Sequence, residues 1–534
     1  MASSPSAGRG DPHVHPIIRN ALRISLTESE YRLLHKHLIE RLPPSIQKRT
    51  YSPLEFETAV RSPDRYNEAA IRASLRVFLA TAGGMKLVEV IAKRINARKA
   101  SSRSAAPVPY LRSPGFRLAL TLSSMLLLHR ILYRFFTRLR INLKSDDARP
   151  FRDRNPRISM ALTSKYAPAI GASFAGFMLA AYPKSQLRVT VAIYAATRSL
   201  EFLYNSLDER GWFKNRPWWF GSWLLMPLST AQLFHAFIFD RDTAPKWFGD
   251  FILRFTPDYI SRRPVAFPPN KHWPDPYETV DSLAKIAELK WPAFTSPILH
   301  PGNPCTLPAA VRSVSPITSP AHPAVSLLSC AILHPKTPSC LTAFFHQNLL
   351  AIPLIARFLT KIYLVLSLLF IKSFLSHPIA TTNALCRKIL SMTAVLSAAI
   401  GSAWGSVCLF SAFLPRSFLP TQRFFLSGAL AGLPFALLGG GEHRSHFLYF
   451  FRLAIDSAWK VGVKRKLWRG YKGGEVVVFV ASWALIGALL QRTPTAITDP
   501  GMRKGLAWVR GDGFVDPVER RSKKKNKKSA GRSG

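Results

Sequence analysis

The sequence predicts an all-α, polytopic helical membrane protein: two related repeats of about four to five helices each, with disordered basic termini. Three observations lead there. The 534-residue chain is 48% hydrophobic and only 19% charged, less charge than soluble domains usually carry. Its apolar residues gather in runs without a formal charge, the longest covering 389–414, and about 20 such residues cross a ~30 Å hydrocarbon core at ~1.5 Å per residue. The runs also recur in the same order in the two halves of the chain.

The elements follow in order. Residues 1–65 are a basic region with a short helix expected in ESEYRLLHKHLIERL. The opening MASSPSAGRGDPHVHP has no apolar stretch, so no cleavable signal peptide is expected. Residues 69–95 carry apolar residues at helical spacing but include Arg72, Arg76, Lys86 and Glu89. That pattern fits a helix lying on a membrane surface as well as one crossing it. A Ser/Pro/Arg linker over 98–114 leads to the apolar segment 116–136, which holds Arg117, Arg130 and Arg134. After a basic connection (137–165), the uncharged stretches 166–182 and 217–239 each predict a span. Trp218, Trp219 and Trp223 stand at one end of the second, where an aromatic belt is expected. Residues 240–340 read as a long Pro-rich loop. Beyond it, 349–371, 389–414, 424–441 and 476–491 predict further apolar helices. The tail from Ser522 holds KKKNKK and is expected to be disordered. The expected organisation is a basic N-terminal region (1–65), a first membrane repeat (66–260), a Pro/Cys/His-rich loop (261–340), a second repeat (341–510) and a basic tail (511–534).

The repeat rests on the order of features. IGASFAGFMLAAY (170–182) aligns with LSGALAGLPFALL (426–438), which sets Gly176 on Gly432. Each is followed by a semi-polar helix, with Arg198 and Glu201 in one and Arg452 and Asp456 in the other. An uncharged span and an Asp-containing turn come next in both. A further apolar helix precedes each set. Gly428 and Gly432 share a helix face, as do Gly401 and Gly405 in GSAWG. Such pairs let two membrane helices approach closely, although glycine is also simply tolerated in these helices. GALAGLPFALLGGG is not a phosphate loop, because Gly439–Gly441 lead into Glu442 and His443 instead of a Lys and a Ser or Thr.

Arg198 and Glu201 lie three apart, and Arg452 and Asp456 four apart, so each pair shares a face. An unpaired charge at mid-bilayer costs about 2.5–3.5 kcal/mol on insertion scales. The pairs therefore mark either a hydrophilic path or structural staples. ILHPGNPC (298–305) recurs as ILHPKTPSC (332–340). His300, Cys305, Cys330, His334 and Cys340 are ligand types that zinc accepts. Their spacing is not that of a standard finger, and the alternative is a stiff loop feeding the next helix. No cofactor is expected on sequence grounds alone.

HPKTPSCLTAFFHQNLL resembles the signature that opens each half of the transmembrane protein 135 family. YAPAIGASFAGFMLAAY followed by VAIYAATRSLEFLYN, and FLSGALAGLPFALL followed by FFRLAIDSAWKVG, resemble it as well. The resemblance covers roughly 66–510 and departs in the first half, where the Cys/His opener has no counterpart before Ala69. It implies a multi-pass protein of peroxisomal or mitochondrial membranes, linked to mitochondrial dynamics and to lipid or sterol handling. It also implies similarity to the channel family of mitochondrial inner-membrane translocases. It supplies no catalytic residues.

No metalloprotease HExxH, nucleotide loop, nucleophile elbow or dinucleotide fingerprint occurs, so no enzyme is expected. The expected function is transport or handling of a lipid or small solute. The alternative is a non-transporting scaffold that regulates organelle dynamics. The formal charge of +43 points to phosphate-rich partners. Anionic lipid headgroups at the basic loops and tail suffice, since KKKNKK lacks the aromatic residues that stack on bases, and no nucleic acid is expected. The bilayer itself and further copies of the chain complete the expected partners.

Overall fold

The computed structural model describes residues 16–47, 50–60, 65–97, 113–183, 185–299, 307–368, 371–439, 441 and 443–530. Those residues are mainly helical, with no strand among them beyond an isolated bridge between Ala293 and Leu327. The helices used below are α1 (Glu28–His37), α2 (Pro53–Val60), α3 (Arg65–Ala97), α4 (Pro114–Asn142), α5 (Ala167–Ser173), α6 (Gln186–Asp208), α7 (Leu225–Phe239), α8 (Lys246–Arg254), α9 (Pro276–Glu288), α10 (Leu328–Leu333), α11 (Cys340–Ser367), α12 (Pro378–Phe413), α13 (Arg423–Gly432), α14 (Arg444–Lys464), α15 (Gly474–Arg492), α16 (Pro500–Arg510) and α17 (Pro517–Ala530).

Five helical segments among the described residues are long and apolar enough to cross a membrane. They are Pro114–Asn142, Ser222–Phe239, Cys340–Ser367, Pro378–Phe413 and Gly474–Arg492. The stretches expected at 166–182 and 424–441 are shorter. Each begins as α-helix and tightens into a 3₁₀ segment, Phe174–Ala181 after α5 and Leu433–Leu438 after α13. Pro434 opens the second and cannot donate to the α-helical ladder.

The chain divides into two compact units, residues 1–214 with 472–534, and residues 215–471. This differs from the contiguous division expected at 66–260 and 341–510. In the first unit α3 packs on α4, α4 on α5, and α15 on both α5 and α6. In the second α11 packs on α12, α12 on α13, and α7 on both α13 and α14. The helix that completes each unit thus comes from the other half of the sequence.

Buried charges hold the first unit together. Arg188 of α6, 5% exposed, pairs with Glu475 of α15 at 2.6 Å. At the far end of the same parallel helices, Asn205 Nδ2 donates to Ala496 O (2.8 Å) and the Ser206 and Thr493 hydroxyls meet at 2.9 Å. Arg130, read from the sequence as a charge inside an apolar helix, is buried. It donates to the carbonyls of Trp508 (2.5 Å) and Val509 (3.3 Å) and lies over the Trp508 ring. It thereby caps the C-terminal turn of α16, where unpaired carbonyls favour a cation. The basic N-terminal region forms its own small cluster. Tyr31 of α1 stacks on Phe56 of α2 at 4.0 Å, and α1 starts with a capping box between Thr27 and Glu30.

Two expectations need correction. Residues 261–340 are not merely a loop. Asp275 caps α9 with a reciprocal Glu278 bond, and Val280, Leu283, Ile286 and Ala287 join Trp291, Val311 and Val314 in a buried core. Pro276, Pro297 and Pro316 stand at helix starts, where their missing N–H costs nothing. The tail is helical over its described part. Asp516 accepts the Val518 N–H (2.9 Å) and pairs with Arg503 (2.7 Å), which fixes the start of α17.

Candidate functional site

The second unit brings four ligand atoms together. Cys330 comes from α10, His334 follows it, Cys340 starts α11, and Cys408 lies near the end of α12. Adjacent helices α11 and α12 run in opposite directions, so the start of one meets the end of the next. The three thiol sulfurs and one imidazole nitrogen all lie within 4.8 Å of one another. Cys330 Sγ is 3.7 Å from Cys340 Sγ, and Cys408 Sγ is 3.5 Å from His334 Nε2.

The turn after α10 aims the imidazole. His334 Nδ1 donates to Thr337 O at 2.8 Å, and the Thr337 N–H returns to His334 O at 3.2 Å. That leaves Nε2 facing the sulfurs. Burial works against a proton on this ring, yet its hydrogen bonds with Cys330 and Cys340 push it up to about 10. Tyr259 is fully buried next to the thiols, and its hydroxyl has no hydrogen-bond partner among the described residues. Burial first, and then charge on Cys408, Cys340 and Cys330, raise its pKa. The backbone carrying Tyr259 is held by buried Gln347. Its Oε1 accepts from Asp258 N (2.9 Å), and its Nε2 donates to Phe255 O (2.9 Å).

Of the metal-ligand residues read from the sequence, Cys330, His334 and Cys340 converge, while His300 and Cys305 lie outside the described residues. Sequence reasoning missed Cys408. Only its place at the same end of the helix pair as Cys340 signals it. Cys386, the remaining described cysteine, is exposed and apart from the cluster.

Two cavities flank α11. One, of about 700 Å³, is walled by Met226 and Phe234 of α7, Phe251 of α8, Leu359 and Ile362 of α11, Ile400 and Ala403 of α12, and Phe447 and Phe450 of α14. Polar groups reach it chiefly through Lys388, His443 and His446. The other, of about 860 Å³, carries Arg254, Arg262, Lys336, Arg357 and Lys361 with a single carboxylate, Asp258. In the first unit an apolar cavity of about 340 Å³ lies between α4, α6 and α15, with Arg198 in its wall.

Arg198 pairs with Glu201 at 2.7 Å. Asp456 pairs with Lys460 at 2.7 Å, a partner not considered from sequence, and Arg452 is half-buried on the same helix. A Cβ at Gly432 would stand 2.3 Å from Pro227 N, and one at Gly428 2.5 Å from Thr230 O, both backbone atoms of α7. Gly401 faces the Asn348 amide and Gly405 faces Phe344 and the Tyr259 hydroxyl, while Gly176 faces Val480 and Phe479 of α15.

No family model matches this chain, and no curated protein or solved structure matches it either.

Proposed function

We propose that this chain is a multi-pass organelle membrane protein, built of two related repeats, that binds and transports or otherwise handles a lipid without chemistry of its own. The observation that carries the reading is the 700 Å³ apolar cavity. Its volume falls within the ~300–1,000 Å³ range of ligand sites, and three of the five long apolar segments wall it. Lys388, His443 and His446 supply a polar mouth for a headgroup.

The membrane part of the reading is supported by α11. Only 17% of its most apolar window is buried, and Leu341, Phe345, Leu349, Ile352 and Val365 all face outward. An apolar band of that length is costly in water and at rest in hydrocarbon. Duplication is supported by the packing pattern, since the four helix pairs named for the first unit (α3–α4, α4–α5, α5–α15 and α6–α15) have counterparts in the second (α11–α12, α12–α13, α13–α7 and α14–α7). The passage from α-helix to 3₁₀ falls around aligned Gly176 and Gly432 in both. Peroxisomal or mitochondrial placement rests on the resemblance to the transmembrane protein 135 family. The basic loops and the basic cavity fit contact with anionic headgroups.

The test is lipid binding and transfer by the full chain reconstituted in vesicles containing a fluorescent fatty acid or sterol. Ala403→Phe fills the cavity and weakens binding by about tenfold, ~1.4 kcal/mol. Transfer no faster than in protein-free vesicles, with no lipid bound to the purified chain, removes the lipid reading. Release of intact protein from membranes by alkaline carbonate removes the membrane reading.

A further inference from the structure

We infer that Cys330, His334, Cys340 and Cys408 hold a structural zinc ion that pins the 261–340 region to the paired ends of α11 and α12. All four ligand atoms lie within 4.8 Å of one another, and two of their separations match a tetrahedron around zinc. With Zn–S ~2.3 Å and Zn–N ~2.0 Å, tetrahedral angles place two sulfurs ~3.8 Å apart and a sulfur and nitrogen ~3.5 Å apart. The structure has 3.7 Å for Cys330–Cys340 and 3.5 Å for Cys408–His334. The sulfurs are much too far apart for a disulfide, whose bond is ~2.05 Å. Three thiolates and one imidazole form a soft donor set that suits zinc.

The surroundings complete the site. Thr337 O fixes the ring so that Nε2 carries the free lone pair, the outer-shell arrangement that metal-bound histidines use. All four zinc positions are taken by side chains, and Cys330, His334 and Cys408 are buried. No position is left for water or substrate, which defines a structural and not a catalytic centre. On binding, each thiol gives its proton to solvent as its sulfur–zinc bond forms, and the imidazole, once any proton on Nε2 has also gone to solvent, donates its lone pair. The product is Zn²⁺ with three thiolates, net charge −1. The ligands come from α10, the turn after it, α11 and α12, so the ion closes a chain loop that includes Cys340 to Cys408. This centre is independent of the lipid reading, and neither test bears on the other.

The experiment uses the tag-free full chain purified in detergent under reducing conditions without chelator. Metal analysis is expected to give one zinc per chain, retained by Cys386→Ser and lost by Cys408→Ala. Replacement of zinc by cobalt in the unmutated protein is expected to give the visible bands of tetrahedral, thiolate-ligated cobalt, a readout that needs no variant to fold. A folded, metal-free wild-type preparation overturns the assignment. So does a Cys330–Cys340 disulfide under these conditions, an octahedral cobalt spectrum, or a Cys408→Ala protein that keeps its zinc.

Discussion

Replacing Gly432 by alanine adds one methyl group at the seam between α13 and α7. Its carbon would stand 2.3 Å from Pro227 N, 2.4 Å from Pro227 Cα and 2.7 Å from Met226 C. All three atoms are backbone, so no rotamer change relieves the clash. The Gly432 backbone (φ −81°, ψ −20°) is one that alanine adopts freely, so the steric conflict is the whole cost. Ordinary carbon contacts lie at about 3.5–4.0 Å, and the two helices must therefore separate by more than ~1 Å. Gly428 shares the seam, facing Thr230 O at 2.5 Å and Ala231 Cα at 2.7 Å, so the separation loosens contacts along a full turn. Overpacking costs about 1–3 kcal/mol, and rigid backbone on the far side puts this case near the top of that range. At about 2–4 °C per kcal/mol for a unit of this size, Gly432→Ala lowers the melting temperature in detergent by roughly 6–12 °C. Gly84→Ala is the control. Nothing lies within 4 Å of its added carbon, so helix propensity alone stabilises α3 by about 0.5–1 kcal/mol. Thermal melts followed by size-exclusion chromatography compare the two. A Gly432→Ala protein that melts with the wild type refutes the close-approach reasoning.

Other outcomes are equally specific. Arg188→Leu leaves Glu475 largely buried without its partner and costs about 3 kcal/mol. In the same melts Arg188→Met with Glu475→Leu recovers at least half of that loss. Gln347→Leu strands the Asp258 N–H and the Phe255 carbonyl and lowers the melting temperature by an amount matching about 2–4 kcal/mol. The Arg503 guanidinium beside Asp516 holds that carboxyl below the usual carboxylate range. Its stabilisation of the tail is therefore complete above the unfolded carboxylate pKa of ~3.9. It is lost as pH falls through the lower folded value. Protease protection of the tail in wild type exceeds that in Asp516→Asn at neutral pH, and the gap closes only below about pH 4.

The all-helical class and the five long apolar segments were legible because uninterrupted apolar runs have few other uses. The 261–340 region was not, because prolines at helix starts look the same in sequence as prolines in loops. Cys408 was hidden for a related reason. A lone cysteine in an apolar helix reads as a small hydrophobe, and nothing local separates Cys408 from Val407 or Leu409. Arg130 was visible as a charge, but its partners, the carbonyls of Trp508 and Val509, lie nearly 380 residues away. The membership of the two units was illegible in principle. On the reading of a duplicated pattern α7 and α15 correspond, but the pattern is the same whether each stays with its own half or crosses over.

That crossover has a consequence for biosynthesis. When α5 and α6 leave the ribosome, the helix that covers them has not been made, and the ribosome must first add some 280 residues. At roughly 5–20 residues per second the wait is on the order of tens of seconds, during which the bare faces of both helices need an insertase or chaperone. A stop codon that spares everything through α14 still leaves the N-terminal unit unfinished, so damage near the 3′ end of the message is felt at the start of the protein.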